Sequence, residues 1–287
     1  MDRRQFVTAL AALPAVAQVP GKASEKFRLR AGLVAYSYRE RLAAKTLTYD
    51  DLIHRVADWG LDGLDCTVYW FPDTSDTFLA SLRKTAFKNG VAIYNAGVRV
   101  RLAQPTADLQ MAEVENIKKW VDVTEKIGAS HMRVFGGPIP KGATEQQAID
   151  WSVEVLKRGA EYAGTRGVTL GVEDDGGLTV RAKPTIEIAK RADSPWVGIN
   201  ADSGNLPEDG YDQFQTLLPY ATSVHLKPII SGKDGKKEKA DWKRLLTMLG
   251  KSGYKGYVGL EYEGNTADAE VPGYAMELHR LVRELSL

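Results

Sequence analysis

Cysteine is almost absent: Cys66 stands alone in 287 residues, so no disulfide can form within the chain and no set of thiolates can hold a zinc ion. Charge of one sign is missing as well. With 38 Lys and Arg against 37 Asp and Glu the formal charge is +1, and no broad basic field exists to gather nucleic acid or an anionic membrane. Long apolar runs are also lacking. The stretch 7–16 is broken by Thr8 and Pro14 and falls short of the roughly 20 residues that span a bilayer. What is present, 44% hydrophobic and 26% charged residues, is a globular balance, and a chain of this length buries a large core without covalent staples.

The N-terminus reads as a separate object. Arg3-Arg4-Gln5-Phe6 precedes the apolar stretch, and Ala15-Val16-Ala17 supplies the small residues that a signal peptidase needs. The paired arginines are similar to those of a twin-arginine export signal. Residues 1–17 are therefore expected to be an export signal peptide, which makes the mature protein periplasmic and free of the membrane; were these residues instead a helix of the fold, the protein would be cytoplasmic. Residues 18–29, with Pro20, Gly21 and Ser24, read as a linker, which leaves 30–287 for a single catalytic domain.

From Arg30 onward, short runs rich in β-branched residues alternate with longer amphipathic ones, as buried parallel strands and helices do. Strands are expected at 31–36, 63–68, 91–95, 131–135, 168–173, 197–202, 223–227 and 257–261. The first helix begins at a Thr48 cap, turns Leu52, Ile53, Val56 and Trp59 to one side and stops at Gly60. Others are expected at 75–88, 107–127, 144–166, 182–192, 210–219, 240–251 and 271–285. Unbroken β-then-α alternation leaves an open sheet or a closed (β/α)8 TIM barrel. An open nucleotide-binding sheet would carry a glycine-rich loop after its first strand, where Ser37-Tyr38-Arg39-Glu40-Arg41 stands instead. Closure is the better reading.

Barrel enzymes place their chemistry where the strands end. Glu173 ends the fifth expected strand, Asp202 the sixth and Glu261 the eighth, while His225 lies near the end of the seventh. Each residue alone has a plain structural explanation, Asp202 as a helix cap or His225 as a hydrogen-bonded core residue. Four metal-competent side chains on four consecutive strands point to one divalent-metal site. Carboxylates with a single imidazole suit Mn²⁺, Mg²⁺, Co²⁺ or Zn²⁺, and four protein ligands plus a substrate favour an octahedral-capable ion, Mn²⁺ first. His54, His131 and His279 fall on helices or at the start of a strand and are given no ligand role.

These residues resemble the xylose-isomerase-like family of sugar isomerase and epimerase barrels. The resemblance covers the whole mature chain in strand order, and its most telling pieces are Val172-Glu173-Asp174-Asp175-Gly176-Gly177, Asp202-Ser203-Gly204-Asn205, Val224-His225-Leu226-Lys227 and Gly259-Leu260-Glu261. It implies that Glu173, Asp202, His225 and Glu261 hold one divalent metal and that Glu173 and Glu261 also move protons on the substrate. The chain departs from its relatives at Asp174-Asp175, where many read Glu-Asn-His-Gly-Gly; the added negative charge would favour a cationic or polyhydroxyl ligand or alter the surroundings of the metal. Ketose 3-epimerases usually carry a histidine where Asn205 stands and an arginine where Ser231 stands, and both changes count against that assignment.

The expected activity is isomerisation or epimerisation of a sugar or sugar derivative, with proton transfer through a metal-stabilised enediolate. Were a leaving group β to the carbanion, the same residues would act as a lyase on a 3-keto-glycoside. An endonuclease-IV-type hydrolase would need a multinuclear zinc cluster and several more strand-end histidines, and a non-catalytic sugar-binding barrel would not need the intact ligand set. Tyr36, Asp65, Trp70, Asn95, Arg133, Asp175, Asn205 and Lys227 are candidate substrate-binding residues, joined at lower weight by Tyr69 and Tyr94; for Arg133 the alternative is an ion pair inside the barrel, and for Lys227 a pairing with Glu261 or Asp202. Residues 231–239 read as a solvated flexible loop. The expected partner is a small-molecule sugar, not nucleic acid, and the helix face around Trp120 is a candidate contact in a homo-oligomer.

Overall fold

The computed structural model describes residues 27–286. The export signal expected at 1–17 and residues 18–26 of the expected linker lie outside the described residues, and the first strand begins at Arg28, inside the segment taken as linker. Eight strands, β1 (Arg28–Val34), β2 (Gly63–Thr67), β3 (Ala92–Arg101), β4 (His131–Phe135), β5 (Thr169–Glu173), β6 (Val197–Asp202), β7 (Ala221–Leu226) and β10 (Lys255–Leu260), close into one parallel barrel in the order β1-β10-β7-β6-β5-β4-β3-β2. This is the single-domain (β/α)8 barrel that the alternation predicts. No helix among the described residues is long and apolar enough to cross a membrane.

The helices are α1 (Arg39–Ala43), α2 (Tyr49–Asp58), α3 (Asp76–Lys88), α4 (Ala107–Lys126), α5 (Glu145–Thr165), α6 (Ala182–Ala192), α7 (Gly210–Leu217), α8 (Trp242–Lys251) and α9 (Ala267–Ser286). Local chemistry sets their starts. The Thr48 side chain accepts from the Asp51 backbone while the Asp51 carboxylate accepts from the Thr48 backbone, and Thr144 with Gln147 does the same for α5. Each helix then lays an apolar face on the barrel: Leu52, Ile53 and Val56 of α2 are fully buried, each contributing about 1.5–3 kcal/mol. Gly128 and Gly167 end α4 and α5 at φ of 87° and 67°, a conformation that costs a side-chain-bearing residue energy.

Two departures from the expected elements matter for the site. The loop expected at 231–239 is largely an antiparallel hairpin, β8 (Ile229–Ser231) with β9 (Lys237–Lys239), pairing Ile229 with Lys239. The second is in β3. Leu64 pairs with Ile93 but Asp65 pairs with Asn95, so Tyr94 is an extra residue in a bulge. The bulge turns both Tyr94 and Asn95 into the barrel. Tyr94 fills the axis against Gly32, Gly63 and Gly259, where a Cβ would stand 2.8, 2.8 and 2.4 Å from its ring or hydroxyl, and it stacks on Tyr257 with centroids 4.2 Å apart. Tyr94 is thus part of the barrel filling and does not line the mouth.

Candidate metal centre

Glu173 and Asp202 are the last residues of β5 and β6, His225 is the penultimate residue of β7, and Glu261 follows β10 directly. Strand alternation and register aim all four side chains at the mouth of the barrel, since Asp202 pairs with His225 and Gly259 with His225 in adjacent ladders. Glu173, Asp202 and His225 each offer a ligand atom within 4.8 Å of the others. His225 faces this cluster with Nδ1, which lies 3.0 Å from Glu173 Oε1, 3.8 Å from Asp202 Oδ2 and 3.7 Å from Glu261 Oε2. Glu261 stands at the edge of the set, with Oε2 3.3 Å from the Lys227 ammonium.

The donor set fits a divalent ion. Asp202 Oδ2 is buried without a hydrogen-bond partner and points at the atoms of Glu173 and His225, while its Oδ1 is committed to the Gly204 N–H at 2.7 Å. Burial, with Glu261 and Glu173 nearby, raises the Asp202 carboxyl to about 8 despite Lys227. Burial opposes charge on His225, but Glu261, Asp65 and Glu173 outweigh it and hold the imidazole well above its usual range. Crowded carboxylates that retain protons are what a bound cation relieves. Glu261 is the exception: Lys227 and His225 overcome its burial and hold it down at about 2.

Beneath the ligands runs a buried polar column. His225 Nε2 donates to Asp65 Oδ2 at 2.8 Å, Asn95 Nδ2 donates to the same oxygen at 2.6 Å, and Asn95 Oδ1 meets His131 Nδ1 at 2.7 Å. His131 Nε2 then reaches the Thr222 hydroxyl at 3.0 Å. Burial lowers His131 to about 4, so it is neutral; the Asp65 carboxylate can only accept, which turns the Asn95 nitrogen to Asp65 and the Asn95 oxygen to His131 Nδ1, the ring nitrogen that then carries the proton. Asp65 and Asn95 therefore lie below the ligands, with their polar atoms turned to the two histidines rather than to the mouth. Carboxylate–histidine pairs of this kind set the tautomer and aim of a metal-ligating imidazole.

Three further residues engage the ligands directly. The Arg133 Nε lies 3.3 Å from Glu173 Oε2, the ion-pair alternative for this residue, and its Nη1 donates to the Tyr69 hydroxyl at 3.0 Å. Lys227 pairs with Asp202 and Glu261 at 3.3 Å each and with Glu263 at 3.2 Å, and it donates to Asn205 Oδ1 at 2.6 Å, so Asn205 acts through Lys227. Asn200, which sequence reasoning passed over, donates from Nδ2 to Glu173 Oε1 at 2.9 Å. It lies two residues before Asp202 on the same strand, so alternation alone places it on the inner face. Asp174 is also buried: its Oδ1 accepts from the Asp202 N–H at 2.7 Å, and burial beside Asp202 and Glu173 raises it well above the carboxylate range. Burial therefore works against the added negative charge expected at Asp174.

The ligands come from β5, β6, β7 and the end of β10; the other side of the mouth belongs to β1 through β5. There a cavity of about 560 Å³ is lined by Tyr36, Tyr69, Trp70, Arg99, Arg101, Phe135 and Asp175 with the glycines beside them. Tyr36 and Trp70 face it with centroids 5.9 Å apart. Of the candidate substrate-binding residues, Tyr36, Trp70 and Asp175 meet in this cavity. Arg99 and Arg101 escaped the sequence reading, although the alternation Val98-Arg99-Val100-Arg101 carries the signal.

A model of the xylose isomerase-like TIM barrel family matches residues 53–285. The chain belongs to this family. No curated protein matches it. Among solved structures, a D-psicose 3-epimerase with D-tagatose from Clostridium cellulolyticum H10 shares 18% identity at a TM-score of 0.72, covering 90% of this chain and 99% of its own. The probable 3-DHS dehydratase AsbF of petrobactin synthesis from Bacillus anthracis shares 16% at 0.67, covering 87% and 98%. The IOLI protein with a bound zinc atom shares 14% at 0.69, covering 90% and 98%. At these identities the structures establish the shared barrel, and the xylose isomerase-like family assignment rests on the matched residues.

Proposed function

We propose that this xylose isomerase-like barrel is a divalent-metal-dependent isomerase or epimerase of a sugar or sugar derivative, with Mn²⁺ as the preferred ion. The observation that carries the reading is the convergence of Glu173, Asp202 and His225 within 4.8 Å, with Glu261 beside them, next to a cavity of about 560 Å³ that is lined in part by Asp175, two residues past Glu173, and by Phe135, which pairs with Glu173 in the adjacent strand. Glu173, Asp202, His225 and Glu261 would hold the ion, which supplies Lewis acidity for a substrate carbonyl and its neighbouring hydroxyl. Glu173 has both oxygens engaged, Oε1 by Asn200 and His225 and Oε2 by Arg133, whereas Glu261 is met by Lys227 on Oε2. Glu261 Oε1 is therefore the freer atom to take a proton from carbon and to return it to the neighbouring carbon in an isomerisation, whereas return on the opposite face in an epimerisation requires Glu173 to enter the cycle protonated. Lys227 lies within reach of charge that develops beside Glu261. Tyr36 and Trp70 stack the sugar ring and keep water from it, and Asp175 hydrogen-bonds a hydroxyl.

The experiment is incubation of Mn²⁺-loaded protein with a panel of sugars and sugar derivatives in D₂O. Deuterium at a carbon adjacent to a carbonyl supports the reading; its absence for every substrate counts against it. The elimination reading on a 3-keto-glycoside has one observation in its favour. A groove of about 560 Å³ lined by Leu47, Tyr49, Phe71, Pro72 and Phe78 shares Tyr69 and Trp70 with the catalytic cavity and has room for an apolar aglycone. Release of an aglycone from such a glycoside would choose it. Export by residues 1–17 belongs to the same proposal, since free or oxidised sugars suit the periplasm; cleavage after Ala17 in the processed protein is its test.

A further inference from the structure

The floor and one side of the catalytic mouth are explained by the ligands and the column beneath them, but Arg99 and Arg101 have no part in either. Their position is built. β3 has ten residues where β2, β4 and β5 have five, and its extra length stands above the rim. Gly97 pairs with Arg133 and Arg101 pairs with Phe135, so β3 takes four steps where β4 takes two and rises out of the barrel wall. Val98 and Val100 are fully buried and pin this rise, while Arg99 and Arg101 alternate outward into the cavity. Arg99 lies over the Tyr69 ring with its guanidinium carbon 4.2 Å from the centroid, and the Tyr69 hydroxyl is itself fixed by Arg133. Stacking of this kind leaves the hydrogen-bonding edge of a guanidinium free and already oriented. Neither guanidinium has a carboxylate within 4.0 Å among the described residues; the Glu113 carboxylate accepts from the Arg101 backbone N–H, not from its side chain. The buried cations Arg133 and Lys227 are by contrast paired with Glu173 and with Asp202, Glu261 and Glu263.

We infer that Arg99 and Arg101 form a subsite for an anionic group, a carboxylate at the end of the substrate remote from the metal ligands, which makes the substrate a sugar acid. Ring and anion would be read together: Tyr36 and Trp70, packed against each other, present one aromatic wall to the ring, and two guanidiniums two residues apart on one strand face offer donors to the carboxylate. This inference rests on the sugar reading of the site, and its test is a binding measurement so that the two can fail separately. D-glucuronate, D-glucose and glucose 6-phosphate are titrated calorimetrically into the Mn²⁺-loaded full chain and into R99Q, R101Q and the double variant. Both arginines are exposed, so the variants should fold, and unchanged thermal unfolding confirms it. The expected result is that glucuronate binds at least about tenfold more tightly than glucose, losing about tenfold with each arginine. Equal binding of glucose, or glucuronate binding that ignores both substitutions, overturns the inference. Arginine-dependent preference for the phosphate over the carboxylate overturns the sugar-acid assignment. An absence of deuterium exchange together with arginine-dependent glucuronate binding would refute the proposed reaction and leave the subsite standing.

Discussion

Asp65 offers the sharpest test of how the metal centre is held. Its Oδ2 accepts from His225 Nε2 at 2.8 Å and from Asn95 at 2.6 Å, while its Oδ1 is buried without a partner. In D65N an oxygen in the Oδ2 position can still accept both bonds, but the amide nitrogen then occupies the partnerless Oδ1 position. If the amide rotates instead, its N–H₂ meets His225 Nε2 and drives the imidazole proton to Nδ1, the atom that faces the other ligands. Either arrangement weakens the site. Loss of such a partner to a metal-ligating histidine costs about 10–100-fold in metal affinity, or about 1.4–2.7 kcal/mol. D65A, which leaves two buried donors unmet, should fall at or beyond the upper end. The assay is Mn²⁺ affinity by competition with a chelator, with thermal unfolding of the metal-free proteins as the control for folding. Nitrogen NMR of the imidazole with diamagnetic Mg²⁺ or Zn²⁺ bound supplies a second readout, since the parent should then show its remaining proton on Nε2. Folded variants that bind Mn²⁺ within twofold of the parent would refute the role of Asp65.

Other consequences follow from the same geometry. Asp202 is raised to about 8 and His225 well above its ordinary range, so below those values the metal-free site holds protons that the ion must displace. Mn²⁺ affinity should therefore rise with pH through about 8 and fall in acid, and calorimetry in buffers of different ionisation enthalpy at pH 7 should count about two protons released; pH-independent binding would contradict this. Because burial works against charge at Asp174 and an amide oxygen can keep its bond to the Asp202 N–H, D174N should leave metal affinity within about twofold, whereas D174A removes that acceptor and should cost about 1–3 kcal/mol in urea unfolding. R133M strands the Glu173 carboxylate in the barrel wall and should destabilise the metal-free protein by about 3–5 kcal/mol. Excess Mn²⁺ should recover part of that loss, and an equal loss with and without the ion would show that the pair does not act through Glu173.

The fold and the convergence of Glu173, Asp202 and His225 were legible because each is written locally. Buried β-branched runs, amphipathic helices and caps such as Thr48 identify the alternation, and a carboxylate or imidazole at a strand's end must reach the mouth whatever the rest of the chain does. Burial was not legible. Asp174 looks like an added charge until Asp202 and Glu173 are seen beside it, and the sequence leaves Arg133 between a substrate contact and an ion pair, naming no partner until Glu173 is found 3.3 Å away. Asp65 and Asn95 were rightly singled out as polar residues on inward strands, but strand periodicity fixes a face and not a depth. The residues 231–239 look like solvated loop because Lys, Gly and Asp dominate them, yet strand pairing between Ile229 and Lys239 organises the segment through backbone hydrogen bonds that do not depend on side-chain polarity.

The β3 bulge explains why the column in particular stayed hidden. Without Tyr94 as an extra residue, strict alternation would send Tyr94 and Asn95 to opposite faces, and Asn95 could reach the axis only by expelling Tyr94. With it, Tyr94 fills the axis while Asn95 links Asp65 to His131. The acceptor-only Asp65 carboxylate takes the His225 Nε2 proton and an Asn95 Nδ2 proton, which turns the Asn95 oxygen to His131 Nδ1 below and keeps His225 Nδ1 toward Glu173 and Asp202 above. A carboxylate buried beneath the candidate ligands thus decides which imidazole nitrogen is offered at the mouth, and the hydrogen bonds run in order from it down to His131.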